Sequence, residues 1–272
     1  MKIQYLGTGG SEGIPALMCV CDNCANARKI GGRNLRTRAQ ALIDGKLLID
    51  FTSDTLAHTH SCGVDLSSVT DCLVTHSHYD HFAPIELTNF RPQHIHTPKD
   101  WHITFYGSDI VGEAVADCLD LNIFSFEAVQ AFVPKKVGEY TVTPLKAIHS
   151  VKSGPLIYQI SDGVKTLLYG TDTNYFHDSV WEYWEKTKPH FDLVTLDCTN
   201  SCKPLTYVGH MGLAENIKVR QRMLEMGIAD KNTKFVCTHF SHNGIKCLYD
   251  EFVPIAANEG FTVAYDGMTL KI

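Results

Sequence analysis

The run THSHYDHF, Thr75 to Phe82, places His76, His78, Asp80 and His81 within six residues, straight after the apolar run DCLV. Any one of these side chains alone could be an ordinary hydrogen-bonded residue. Together they form a metal-binding pattern. In an extended segment residues two apart point the same way, so His76 and His78 can share one cation. Asp80 and His81, where the chain turns, can face a second. Imidazole nitrogens and a carboxylate suit zinc, manganese or iron.

A second concentration of reactive groups is MCVCDNCANAR, Met18 to Arg28, with Cys19, Cys21 and Cys24. Clustered cysteines in a cytosolic chain bind metal more often than they form disulfides. A structural zinc takes four protein ligands, so three thiolates leave one place to fill.

A pair of cations needs ligands from several segments, and the apolar runs show which. KIQYLG reads as a strand. AQALIDGKLLIDF reads as two strands around an Asp44-Gly45 turn. DCLVTH, YTVTPLKAIH, PLIYQISDGVKTLLYGTDT and FDLVTLDCT follow as strands, and after the periodic helix LAENIKVRQRMLEMGI comes the strand KFVCTH. Four of these runs lead to a ligand-type side chain: His76, His149, Asp172 and His239. Strand ends at one sheet edge are rigid places from which to aim side chains into a shared cleft. Asp172, with two carboxylate oxygens, can bridge both cations; His149 would complete the first set and His239 the second. Asp172 could instead cap a helix opening at TNYF, and His149 and His239 could be buried, hydrogen-bonded histidines. The chain closes with an expected helix, KCLYDEFVPIAANEG, and an expected hairpin, FTVAYDGMTLKI. The loop GTGGSEG lacks the Gly-Lys-Ser/Thr ending of a P-loop and the following helix of a dinucleotide site. It reads as a tight turn into the cysteine cluster, with its backbone lining the cleft.

The 272 residues contain no repeat or linker-like tract and carry a formal net charge of −6. One domain, 1–272, is expected. The acidic balance argues against long nucleic acid as a partner. No apolar run approaches the roughly 18 residues of a membrane span, and the start, MKIQYLGTGG, lacks the pattern of a signal peptide. A cytoplasmic location with no membrane partner follows as the expectation. The other cysteines (Cys62, Cys72, Cys118, Cys198, Cys202, Cys237 and Cys247) read as buried, inert thiols. His58, His60, His94, His96, His102, His177 and His190 lack a ligand context and read as surface residues.

THSHYDH, with His149, Asp172 and His239 following in that order, resembles the metallo-β-lactamase superfamily along essentially the whole chain. The resemblance implies an α/β fold, the αββα sandwich of two mixed sheets flanked by helices, with two metals at one edge of the packed sheets. His242, three residues beyond His239 in THFSH, is our choice of fourth ligand for a structural zinc with Cys19, Cys21 and Cys24. That zinc clip narrows the match: GTGGSEGIPALMCVCDNC with THFSH resembles the PhnP phosphodiesterases. PqqB-like proteins share the cysteine clip but usually have a less complete catalytic motif.

From the PhnP resemblance, His210 in YVGHMGLAEN sits where a histidine can serve as general acid; its alternative is a helix-capping or surface residue. The implied reaction is hydrolysis of small phosphodiesters, such as ribose cyclic phosphates or 2′,3′-cyclic nucleotides, by hydroxide formed between two divalent ions, zinc or manganese. Those ions would be held by His76, His78, Asp80, His81, His149, Asp172 and His239. Other hydrolases of the superfamily, acting on thioesters, lactams or RNA, and a PqqB-like oxidative role are the competing readings. A homodimer is one arrangement open to such a chain.

Overall fold

The computed structural model describes residues 1–91, 93–116, 123–204 and 208–272. Among them, the strands are β1 (Lys2–Gly7), β2 (Gln40–Ile43), β3 (Leu47–Ile49), β4 (Asp71–Leu73), β5 (Ile103–Gly107), β6 (Phe124–Ala128), β7 (Lys135–Val137), β8 (Tyr140–Lys146), β9 (Leu156–Ser161), β10 (Thr166–Gly170), β11 (Leu193–Asp197), β12 (Lys234–Thr238), β13 (Phe261–Val263) and β14 (Thr269–Lys271). The helices are α1 (Asp22–Ile30), α2 (Thr55–Cys62), α3 (Asp109–Val115), α4 (Asp178–Thr187), α5 (Leu213–Glu225) and α6 (Tyr249–Asn258). Two mixed seven-stranded sheets result, in the orders β14-β1-β2-β3-β4-β5-β6 and β13-β12-β11-β10-β9-β8-β7.

Side-chain alternation assigns each residue to a layer. In the first sheet Ala41, Ile43, Leu47, Ile49 and Leu73 face inward, against Val142, Tyr158, Ile160, Leu167, Tyr169 and Val236 of the second. Leu42, Leu48, Cys72 and Phe105 face outward with Val111 and Val115 of α3. The outer face of the second sheet is covered by Val180, Trp181 and Trp184 of α4, Val219 and Met223 of α5, and Phe252 and Ala256 of α6. Both sheets are therefore buried on two faces. That explains why their strands read as near-continuous apolar runs.

The Asp44-Gly45 turn joins β2 to β3, with φ of 51° and 74° at its two central residues, the geometry of a type I′ hairpin turn. β9 and β10 also pair antiparallel, across a longer turn, 162–165, in which Gly163 has a φ of 91°. The expected closing hairpin is not formed. β13 runs parallel to β12, which it reaches through α6, whereas β14 runs antiparallel to β1 in the other sheet. A strand–helix–strand unit favours the parallel partner over the next strand in sequence. The 264–268 turn then carries the chain from one sheet to the other, anchored by Asp266, which accepts hydrogen bonds from Thr8 Oγ1 at 2.6 Å and the Thr37 amide at 2.7 Å.

His58 is a second correction. It is fully buried rather than on the surface, bonded through Nδ1 to Gln40 Oε1 at 2.6 Å and through Nε2 to Thr37 Oγ1 at 2.7 Å. His177 also has a local task, as its Nδ1 accepts from the Ser179 amide at the start of α4. Cys72, Cys198, Cys237 and Cys247 are buried and Cys62 and Cys202 half-buried, while Cys118 lies outside the described residues. Among the described residues no helix is long and apolar enough to cross a membrane.

Two stability predictions follow from this packing. Trp184, fully buried among Phe176, Trp181 and Phe191, donates its indole N–H to Gln159 Oε1 at 3.0 Å. Trp184→Ala should cost about 3–5 kcal/mol in a denaturant titration. Burial lowers the His58 pKa to about 4. The unfolded chain therefore takes up a proton below about 6.5 that the folded chain refuses. The contribution of His58 is whole above that pH and falls as pH drops toward 4. In a pH series of unfolding free energies, His58→Gln should flatten that part of the decline.

Candidate metal centre

Each strand stops one to three residues before the side chain it delivers, and the intervening backbone is held by other groups. After β4, the Thr75 amide donates to Asp50 Oδ1 at 2.7 Å. After β8, the Ile148 amide donates to Thr173 Oγ1 at 2.9 Å. The parallel trio β10, β11 and β12 ends at one edge, which brings Asp172, Asp197 and His239 together. Asp50, Asp172 and His239 all have positive φ, 66°, 50° and 59°. Left-handed backbone at non-glycine residues costs energy and persists where surrounding contacts over-determine it. No helix starts at Asp172, since α4 begins at Asp178, so the capping alternative for that carboxylate fails.

The expected ligands converge. His76 Nε2 lies 2.9 Å and His149 Nε2 3.2 Å from His78 Nδ1. His81 Nε2 lies 3.4 Å from Asp80 Oδ2, and those two residues form a second group with His239. Asp172 stands between. Its Oδ2 is 2.8 Å from His81 Nε2 and 2.9 Å from His239 Nε2, while its Oδ1 is 3.7 Å from His149 Nε2. One oxygen thus faces each group of nitrogens.

His81 Nε2, Asp172 Oδ2 and His239 Nε2 are buried, and none makes a hydrogen bond of acceptable geometry with a described residue, despite their closeness. Buried polar atoms are nearly always satisfied. A cation at this point would satisfy all three, so the donor set fits a metal. Burial alone would raise the Asp172 pKa, yet the His239 and His81 rings hold it well below the usual carboxylate range.

Sequence reasoning missed the groups that aim these ligands. Asp50, fully buried, takes His81 Nδ1 at 2.7 Å and so turns Nε2 toward the centre. Thr75 Oγ1 sits 3.1 Å from His76 Nδ1, and Thr199 Oγ1 2.9 Å from His239 Nδ1. Asp197 collects four contacts: Oδ2 accepts from the Asp172 amide at 3.0 Å and from His210 Nδ1 at 2.9 Å, and Oδ1 accepts from the Thr199 and Met211 amides at 2.9 and 3.1 Å. Such outer partners fix the tautomer and the direction of a ligating ring. The available signal was position, since Asp197 ends a strand of the same design as those leading to the ligands.

His210 Nδ1 is 3.8 Å from Asp172 Oδ1, and its ring stacks on that of His239. Burial disfavours its charge, but the Asp197 carboxylate outweighs burial and raises its pKa to about 9. Gly10, in the glycine-rich loop, lies against the same edge: a Cβ there would stand 3.4 Å from His239 Cε1.

The cysteine cluster also assembles. Cys19, Cys21, Cys24 and His242 bring one potential ligand atom each within 4.8 Å of the others. His242 Nδ1 is 3.7 Å from Cys19 Sγ and 3.4 Å from Cys21 Sγ. Zinc–sulfur bonds of 2.3 Å in a tetrahedron imply ligand separations of about 3.8 Å. Backbone N–H groups of Cys21 and Cys24 lower the Cys19 and Cys21 thiol pKa values, respectively, while burial pushes Cys24 up to about 12. A zinc ion is the agent that would deprotonate all three. Asn23 Nδ2 ties the base of α1 to the His242 and Gly244 carbonyls at 2.8 and 3.1 Å.

A family profile described as a beta-lactamase superfamily domain matches residues 46–240, well over half of the chain and every histidine and aspartate of the metal centre. The chain belongs to the beta-lactamase superfamily. Its members are generally hydrolytic enzymes, and the two-sheet sandwich is the fold expected of them. The crystal structure of a new diphosphatase from the PhnP family superposes over 100% of this chain and 97% of that one, with a TM-score of 0.74 and 20% identity. Zinc-bound PqqB from Methylobacterium extorquens superposes over 100% of both chains, with a TM-score of 0.71 and 17% identity. At such identities the likeness shows the shared fold. A curated relative, an octanoyltransferase from Porphyromonas gingivalis (strain ATCC BAA-308 / W83), is 26% identical over 165 residues, covering 55% of this chain and 31% of that protein. The chain thus spans about a third of the length of the curated relative it matches.

Cys21→Ser should remove about one equivalent of zinc per chain, measured by mass spectrometry of the metals, and lower the melting temperature. Retained zinc with an unchanged melting temperature would refute a cysteine clip.

Proposed function

We propose that this chain is a cytoplasmic, single-domain, metal-dependent phosphodiesterase acting on small phosphodiesters, cyclic ribose phosphates or cyclic nucleotides. The division of the Asp172 carboxylate between two groups of imidazoles carries the reading, because each oxygen could then serve a cation of its own. His76, His78 and His149 would hold one; Asp80, His81 and His239 the other; Asp172 both. Cys19, Cys21, Cys24 and His242 would hold a structural zinc. The paired ions, zinc or manganese, supply charge neutralisation at phosphate oxygens and a water acidic enough to ionise near neutral pH.

The chain's own residues do the remainder. Asp50, Thr75, Thr199 and Asp197 keep the ligand rings in fixed orientations. As water oxygen adds to phosphorus and the bond to the ester oxygen breaks, the His210 imidazolium gives its proton to the departing alkoxide, and Asp197 stabilises the charged ring beforehand. An imidazole suits that role near neutral pH.

Several observations support this reading over its competitors. The net charge of −6 opposes a long polyanion such as transfer RNA. The candidate ligands would suffice for two metals, where the catalytic motif of PqqB-like proteins is usually less complete, and a non-catalytic metal-binding protein would have no use for His210. The PhnP-family diphosphatase shares the fold from end to end. Nine cysteines among the described residues are free of disulfides, as suits a reducing cytoplasm.

Asp172→Ala should reduce hydrolysis of bis(p-nitrophenyl) phosphate to background and lower the catalytic metal content. His210→Ala should keep its metals yet slow 2′,3′-cyclic nucleotide hydrolysis about 100-fold or more. It should slow the p-nitrophenyl ester much less, because p-nitrophenolate departs without a proton. Equal losses on both substrates would remove His210 as the acid. Wild-type turnover of an S-acyl thioester or a precursor transfer RNA in preference to every small phosphodiester would overturn the substrate class.

A further inference from the structure

Away from the metal centre, the outer face of the first sheet holds a cavity of about 520 Å³. Its floor is Leu48 of β3 with Ile103 and Phe105 of β5, one wall is α2, and residues of 86–90 and 95–101 form the other. Phe90 stacks on Trp101, ring centroids 6.1 Å apart, and meets Phe51 and Phe124 edge-on at 6.4 and 5.5 Å, so an aromatic box encloses the deep part. Protein interiors are otherwise packed like organic crystals, with voids that barely exceed a water molecule. An apolar void does not hold water well. The volume falls in the range of roughly 300–1,000 Å³ typical of small-molecule pockets, which are likewise mostly apolar.

The polar groups define what could enter. Thr55 Oγ1 donates to the Thr52 carbonyl at 2.6 Å, and Thr59 Oγ1 to the Leu56 carbonyl at 2.7 Å, so these two wall hydroxyls spend their protons on nearby backbone. Among the described lining residues there is no lysine or arginine, and Glu86 is the one carboxylate. A free fatty acid or a phospholipid would bring its negative head to a rim that holds the Glu86 carboxylate and, among the described lining residues, no basic side chain but the His96 imidazole. An uncharged head would meet neither penalty. Leu56, 68% exposed, adds an apolar lip where a chain would enter.

We propose that this cavity binds a neutral single-chain lipid, its hydrocarbon chain in the aromatic box and its hydroxyl or ester head at the rim. The site is separate from the metal centre. Its nearest approach is Phe51, whose amide donates to the His81 carbonyl at 2.9 Å while its side chain lines the cavity.

Nile red, an uncharged fluorescent probe, should bind the whole protein saturably at one site. 1-Monodecanoylglycerol should displace it at a concentration at least tenfold lower than decanoate does. Thr59→Trp, which fills the cavity, and Leu56→Glu, which charges its lip at an exposed position, should each weaken displacement tenfold or more. Bis(p-nitrophenyl) phosphate turnover should be unchanged in both variants, which also verifies their folding. Absence of saturable binding, displacement by decanoate as good as by the glyceride, or full affinity in a folded Leu56→Glu protein would each overturn the proposal. The binding outcomes do not depend on which substrate the metal centre hydrolyses, and melting curves of both variants report their folding independently of turnover.

Discussion

A carboxylate buried between imidazoles organises this molecule. Asp172 has almost no contact with solvent, and two ring nitrogens approach one of its oxygens within 2.9 Å without making proper hydrogen bonds. Such an arrangement is expensive unless a positive charge sits among the three atoms. The architecture around it can be understood as the means of assembling it. Parallel strands β10, β11 and β12 bring Asp172, Asp197 and His239 to one edge, and the packing of the first sheet against the second brings the THSHYDH loop over them.

Orientation is the second requirement, and it is distributed unevenly. Asp197 alone holds the Asp172 backbone, the His210 ring and the turn that follows β11. Asp50 does the corresponding work on the opposite sheet for His81 and Thr75. Each carboxylate is fully buried and converts a flexible strand end into a fixed direction. A metal centre demands this rigidity, since an error of an ångström in one ligand would disturb the whole coordination set.

The candidate ligands were legible in the sequence because their signal is local or strand-terminal: three histidines and an aspartate in one loop, and single polar residues where apolar runs stop. Individual strands, and the turns at Asp44-Gly45 and Asp162-Gly163, were legible for the same reason, whereas their arrangement in two sheets came from the family resemblance. What escaped depends on partners distant in the chain. Asp50 looks like an ordinary loop carboxylate and Asp197 like one more polar strand end until the strands are laid side by side. His58 has no local pattern that distinguishes a buried imidazole from a surface one; Gln40 and Thr37 make the difference. The last two strands read as a hairpin, yet α6 commits β13 to a parallel neighbour and leaves β14 for the other sheet.

His239 and His242 share one short segment, and Glu12 ties it to the glycine-rich loop: its carboxylate accepts from the Ser241 hydroxyl and approaches His242 Nε2 at 3.6 Å. Were cations held at both ends of THFSH, any factor by which one changed affinity for the other would be returned in equal measure.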